Sequence, residues 1–417
     1  MTSSMRILLS AYACEPGRGS EPGVGWNVAK FLSDKVSMTV VTRSNNRPDI
    51  EGCGEEWVNQ VNWIYHDLPP WMMWWKKGGR GVQLYYILWQ ISLFLKLWIR
   101  REYNRHDIVH HITFGKYWIP SFLSLSGLPT VFGSVGGGED TPKVFEREIS
   151  KRGLWEERGR RWLRFLMTWN PVCLLALRLN AVNIAATSQT ANRMKKCGLT
   201  NISVMPQSAI SSQQLADFGR ICEKYKKPQS DDQFVITCVA RLISWKAIHL
   251  AIDAFDKARK ELPEGSYLNI VGGGPEKERL SEMVKQRGMQ GSVRFIERLP
   301  ELEDVFQIMA ESDCLLHPAL HEAFGQACLE AIAVGTPVIC WDWAGPGLII
   351  EKQAGIVVPV EATIESSMAS YAKAILKVHH MSEAESNALT ANCRKRAADF
   401  TWDKLADQFV EIYHQLV

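Results

Sequence analysis

Cys314-Leu315-Leu316-His317-Pro318-Ala319-Leu320-His321-Glu322-Ala323-Phe324-Gly325-Gln326-Ala327-Cys328-Leu329-Glu330-Ala331-Ile332-Ala333-Val334-Gly335-Thr336-Pro337-Val338-Ile339-Cys340 reads as strand, loop, helix and strand. The apolar run 314–317 is short enough for a strand buried on both faces, and 337–340 is another. Glu322 stands in the loop where the helix starts. Phe324, Gly325 and Gln326 present backbone N–H groups with no helical partner, at the positive end of the helix dipole. That is a ready anion site, suited to a diphosphate, and Gly325 lets a bulky ligand approach the backbone. Glu330 lies two turns along, within reach of a vicinal diol such as a ribose. Leu329, Ala331, Ile332 and Ala333 around it are apolar, so its carboxylate needs a partner. The plainer reading of either glutamate is structural: a first-turn acid complementing the dipole, or a solvated charge.

The same rhythm repeats outward. Further strands are predicted at 234–239, 267–271, 293–296 and 356–358, with amphipathic helices such as 248–260 between them. In the first half, strands are predicted at 6–11, 38–42, 61–65, 108–112, 130–132 and 183–186. A Gly/Pro-rich loop (15–25) and a helix (26–33) follow the first of these. Strands alternating with helices imply two doubly wound α/β units, each binding ligand beyond the C-terminal ends of its strands. The expected division is 1–205 and 206–397, the polar stretch 224–232 lying near the join. A helix within 398–417 (Leu405, Phe409, Ile412, Tyr413, Leu416) is expected to dock back on the first domain.

Composition narrows the classes. The 417 residues suit two domains, and a net charge of +3 gives no argument for nucleic acid. The ten cysteines are scattered without a CxxC pair, as in a cytoplasmic protein with reduced thiols. Gly23-Val24-Gly25 follows a strand, but Val28 stands where a dinucleotide fingerprint needs its third glycine, and there is no P-loop.

A second cluster follows the strand at 234–239: Ala240-Arg241-Leu242-Ile243-Ser244-Trp245-Lys246. Arg241 suits forked contact with phosphate oxygens, and Lys246 is a compact point charge. Together they suit a departing nucleoside diphosphate without metal, although a surface Arg and Lys on a loop is the plainer reading.

Glu322 and Glu330 with seven residues between them, Arg241 and Lys246, Val271-Gly272-Gly273-Gly274-Pro275-Glu276, the run 331–339 and the final Trp402 helix together resemble the large retaining glycosyltransferase family of GT-B fold. The resemblance covers most of the second half and the first strand-loop-helix. It implies two Rossmann-like domains facing across a cleft, the last helix crossing back to the first. It also implies sugar transfer from a UDP- or GDP-linked donor, with no cofactor and no metal. Arg241 and Lys246 then hold the diphosphate, Glu322 faces the sugar, and Glu330 binds the ribose. Gly273, Phe324, Gly325 and Gln326 complete the donor site, and Gly23 offers its N–H from the opposite wall. The implied acceptor is a cell-surface glycan or lipid-linked saccharide, reached at the cytoplasmic face of the cell membrane.

Two features depart from the pattern. Ala240 and Ala247 stand where the family commonly has glycine. The family's sugar-facing histidine is absent from 129–139, where a glycine-rich turn leads to Glu139. His110 and His111, ending the strand at 108–112, are then candidates to touch sugar or acceptor, against the reading that one is a satisfied core histidine. A nucleotide-sugar epimerase and a scaffold without catalysis are the alternative functions. Twelve of the sixteen tryptophans precede residue 200, many beside cations, as in 71–77 and 151–165. Such stretches suit a membrane interface, although a core helix with an acceptor-binding aromatic wall is the plainer reading.

Overall fold

The computed structural model describes residues 5–76, 78, 81–226, 232–297, 299–351 and 353–417, without the side chains of residues 151 and 152. Of the residues used above, Lys77, Lys151 and Arg152 (as side chains) and 227–231 of the polar stretch lie outside this description.

Two wholly parallel sheets carry the chain. The first has β1 (Arg6–Ser10), β2 (Ser37–Arg43), β3 (Asn62–His66), β4 (Ile108–His111), β5 (Thr130–Val135), β6 (Val182–Ala185) and β7 (Ile202–Val204), in the order β3-β2-β1-β4-β5-β6-β7. The second has β8 (Val235–Val239), β9 (Tyr267–Val271), β10 (Val293–Ile296), β11 (Cys314–His317), β12 (Val338–Trp341) and β13 (Gly355–Val358), in the order β10-β9-β8-β11-β12-β13. The strands are short, and the central ones (β4, β5, β11 and β12) are buried on both faces, as parallel sheets covered by helices require. Every expected strand forms. β7 was missed because three residues at a sheet edge carry no periodicity to read.

The chain divides into two compact units: Met1–Gly138 with Trp162–Ser208 and Trp402–Val417, and Glu139–Arg161 with Ala209–Thr401. The terminal helix Trp402–His414 belongs to the first unit. Its Phe409 and Tyr413 rings pack edge-on to His110, and Asp407 pairs with Lys35 at 2.7 Å. The segment Glu139–Arg161 departs from the expected boundary by joining the second unit. Phe145 and Ile149 are buried in that unit's core, Phe145 lying 5.0 Å from the Trp341 ring. Ser150 N–H donates to Ser244 Oγ, and the Trp343 indole donates to the Asp140 carbonyl. These partners are over ninety residues away in sequence, so no local pattern announces them.

The two aromatic stretches part company. Helix Val82–Ile99 is apolar and long enough to cross a bilayer by length and composition, yet it buries Tyr85, Tyr86, Trp89, Leu93 and Leu97 in the first unit's core. From Trp162 onward the helix Lys151–Thr168 turns its aromatics outward instead: Trp162 is 66% exposed and Phe165 62%.

Candidate active site

In the second sheet, strand order reverses between β8 and β11, which pair in parallel through Cys314 with Ile236 and Leu315 with Thr237. Chain leaving the C-terminal ends of these two strands turns to opposite sides and opens a crevice, the usual ligand position in such sheets. Both charged clusters of the sequence sit there.

The loop after β8 is stitched to the glycine turn after β9. Leu242 N–H donates to the Gly273 carbonyl (2.9 Å), and Glu276 N–H donates to the Leu242 carbonyl (3.0 Å). At Gly272 (φ +132°) a Cβ would lie 2.1 Å from the Ala240 carbonyl oxygen, so the close approach demands glycine there. A Cβ on Gly273 would meet only a carbonyl oxygen 4.0 Å away, leaving that backbone open. This fixed loop holds out Arg241, which is exposed and whose guanidinium has no hydrogen bond or ion pair among the described residues. Lys246 ends the short turn Ser244–Lys246. Ala247 follows in the left-handed region at φ +51°, a conformation that glycine adopts more readily.

Lys246 Nζ pairs with Glu322 Oε2, both side chains mostly buried. His317, at the end of β11, places Nε2 3.8 Å from the same oxygen, and this nitrogen has no hydrogen-bond partner. Burial alone would push the Glu322 carboxyl up, but the Lys246 cation, through its charge and its hydrogen bond, outweighs it and holds the group below its usual range. Burial, reinforced by the Lys246 cation, lowers His317 to about 4, so its imidazole is neutral. His317 escaped the sequence reading because an apolar run with a terminal histidine looks like any buried strand.

Helix Gln326–Ala333 begins at Gly325, whose φ of +93° favours glycine and where a Cβ would sit tightly against Pro346, 3.0 Å away. The loop before it is braced from behind, Gly345 N–H donating to the Glu322 carbonyl at 3.1 Å. Phe324 turns its ring into the core against Phe400, so only its backbone is available to a ligand. Gln326 is exposed at the first helical position. Burial pushes Glu330 up to about 7, a hydrogen bond from Gln326 opposing the shift.

A further polar layer comes from Glu139–Arg161. Glu157, 2% exposed, lies 2.9 Å from Arg160 and 4.0 Å from His321 Nδ1, and it accepts from the Thr141 N–H. Arg160 lies over the Trp245 ring. Burial, then Arg160, lowers the His321 pKa, while Glu157, Glu139 and Glu322 oppose this. Glu139 is thus buried in the same unit as the charged loops.

The first-unit candidates fare differently. Gly23 lies within helix Ser20–Leu32, which starts six residues before the expected position; Pro22 is tolerated because it falls in the first turn. A Cβ at Gly23 would lie 2.1 Å from the Arg18 carbonyl oxygen, so local packing already accounts for this glycine. Contrary to expectation, neither His110 nor His111 is open to a ligand. His110 bonds the Gly133 carbonyl through Nε2 (2.6 Å) and Tyr413 Oη through Nδ1 (2.5 Å). His111 bonds Ser121 Oγ and Tyr86 Oη. Burial lowers both to about 4.

Residues 222–396 match the family model described as "Glycosyl transferases group 1". Among curated proteins, the chain is 27% identical over 176 residues to a glycogen synthase of Mycobacterium tuberculosis, covering 42% of this chain and 41% of that protein. It is 29% identical over 206 residues to a D-inositol 3-phosphate glycosyltransferase of Jonesia denitrificans, covering 48% and 47%. The matched stretch spans less than half the length of these relatives. Among solved structures, the chain is similar to sucrose-phosphate synthase from Thermosynechococcus elongatus (TM-score 0.66, 17% identity, 99% of each chain). It is also similar to Anabaena HepE in complex with UDP (TM-score 0.58, 15% identity, 99% of this chain and 100% of that one). The fold is therefore the two-sheet GT-B architecture.

Proposed function

We propose that this protein is a retaining glycosyltransferase that moves a sugar from a nucleoside-diphosphate donor to a hydroxyl of a glycan or lipid-linked acceptor. The observation that carries this reading is the meeting of Lys246 and Glu322 where strand order reverses, beside the Gly325 helix start and within the span of the family match. Arg241 and Lys246 meet the donor diphosphate. When it arrives, Lys246 exchanges the Glu322 carboxylate for phosphate oxygens, and Glu322 becomes free to accept from sugar hydroxyls. The N–H groups at Phe324–Gln326 add to the anion site, and Glu330 accepts from the ribose diol.

In the transfer itself, the bond from the anomeric carbon to the diphosphate breaks. The acceptor oxygen bonds to that carbon from the leaving-group side, and the departing diphosphate takes the acceptor's proton. Negative charge grows on the diphosphate, where Arg241 and Lys246 stabilise it without a metal. The name of one relative, a glycogen synthase, supports polysaccharide synthesis as the setting. We place the protein in the cytoplasm, at the inner face of the membrane.

A thermal-shift screen of the purified chain against UDP, GDP, dTDP and ADP and their sugar conjugates, with and without EDTA, tests the reading. At a hundredfold over Kd, a ligand adds about 2.7 kcal/mol of stability. The expected result is a shift with one nucleotide, unchanged by EDTA and lost in Arg241→Ala/Lys246→Ala. No shift with any of them overturns the donor assignment.

A further inference from the structure

From Trp162 to the end of helix Pro171–Leu179, the first unit has an inverted surface. Trp162, Phe165 and Trp169 recur at helical spacing and are 66%, 62% and 56% exposed. Val172, Leu175 and Leu179 continue the pattern on the next helix. Of the two cations in this stretch, Arg164 points the other way: it is 5% exposed and donates to the Gly137 carbonyl, while Arg178 is exposed beside the apolar residues of its helix. A water-facing helix normally arranges these the opposite way round, and contiguous exposed apolar surface marks an interaction site.

Charge identifies what it meets. Residues 162–208 contain Arg164, Arg178, Arg193, Lys195 and Lys196 and no aspartate or glutamate. Arg178, Lys195 and Lys196 are exposed. The whole chain carries only +3, so the stretch of sequence that includes the apolar ribbon is enriched in positive charge. Tryptophan with neighbouring cations is the composition that seats at a lipid headgroup boundary, and anionic lipid attracts the cations. A second copy fits poorly, because a two-fold interface would set this acid-free cationic stretch against itself.

We propose that the face formed by Trp162–Leu179 docks this protein on an anionic lipid bilayer. The inference does not rest on the donor assignment, since a chain that binds no nucleotide can still bind vesicles.

Flotation of the full chain with vesicles of phosphatidylglycerol and phosphatidylcholine, against phosphatidylcholine alone, tests it. The expected result is flotation with the anionic vesicles only, weakened by salt, with a blue shift of tryptophan emission. Trp162→Gln/Phe165→Gln/Trp169→Gln should weaken binding at least about tenfold with Tm unchanged. Arg178→Glu/Lys195→Glu/Lys196→Glu provides a second variant that leaves the apolar ribbon intact and should also lose the anionic preference. Failure of the wild-type chain to float, or equal flotation of both variants, overturns the proposal. So does a dimer in sedimentation that the Trp162 variant abolishes, since it would assign the face to a second copy.

Discussion

Both sheets reverse their strand order at one point, and in both the strand beyond it ends in histidine: β4 at His111, after His110, and β11 at His317. Topology and residue type agree, but the chemistry differs. The β4 histidines have both ring nitrogens bonded inside the first unit, to Gly133, Tyr413, Ser121 and Tyr86. Nε2 of His317 has no such partner and faces a carboxylate already paired with lysine. A histidine at a strand end is thus available for chemistry only where its neighbours leave it an unused nitrogen. Burial fixes the neutral form in both places and does not distinguish them.

The largest effect that bears on this contrast is on turnover. Glu322→Ala, Lys246→Ala and Arg241→Ala should each lower kcat at least about a hundredfold, or about 3 kcal/mol in the transition state. Steady-state kinetics with the donor found by thermal shift measures it, and full activity in Arg241→Ala/Lys246→Ala would remove the second unit from the chemistry.

The histidines themselves come next. His110→Leu orphans the Gly133 carbonyl and the Tyr413 hydroxyl and should cost about 2–3 kcal/mol in denaturant unfolding, with nucleotide affinity unchanged. His317→Leu should do the reverse, leaving stability within about 1 kcal/mol because its Nε2 has no bond to lose, while lowering turnover. Nucleotide affinity lost in His110→Leu at unchanged stability would break the comparison.

Glu330 sharpens it through pH. Its carboxyl titrates near 7 in the fold against a usual 4.5, so the folded chain holds an extra proton between these values. The group's contribution to stability is present in full below about 4.5 and declines as pH rises through about 7. Melting curves from pH 4.5 to 8 should fall less steeply for Glu330→Gln than for the wild-type chain, and parallel curves would remove the buried carboxyl from the account. The smallest effect is expected at Ala247, where glycine relieves a left-handed φ of +51°. Ala247→Gly should raise stability by up to about 1 kcal/mol in chemical denaturation.

The sequence was most legible where the physics is local. The short strands and the glycines at 272–274 and 325 that follow strands or open a helix could be read from spacing and composition, because strand length, helix starts and positive φ are set by the local chain. Tertiary structure alone decided the rest. It set Lys246 against Glu322 across seventy-five intervening residues, and it drew Glu139–Arg161 into the second unit through Phe145 and Trp343. It closed His110 through a tyrosine from the last helix at Nδ1 and the Gly133 carbonyl at Nε2. It also turned the face of Trp162 and Phe165 outward when the pattern permitted a core helix. Hydrophobic periodicity gives a helix its faces but not its neighbours, and a histidine's availability depends on who bonds it, which only the folded chain specifies.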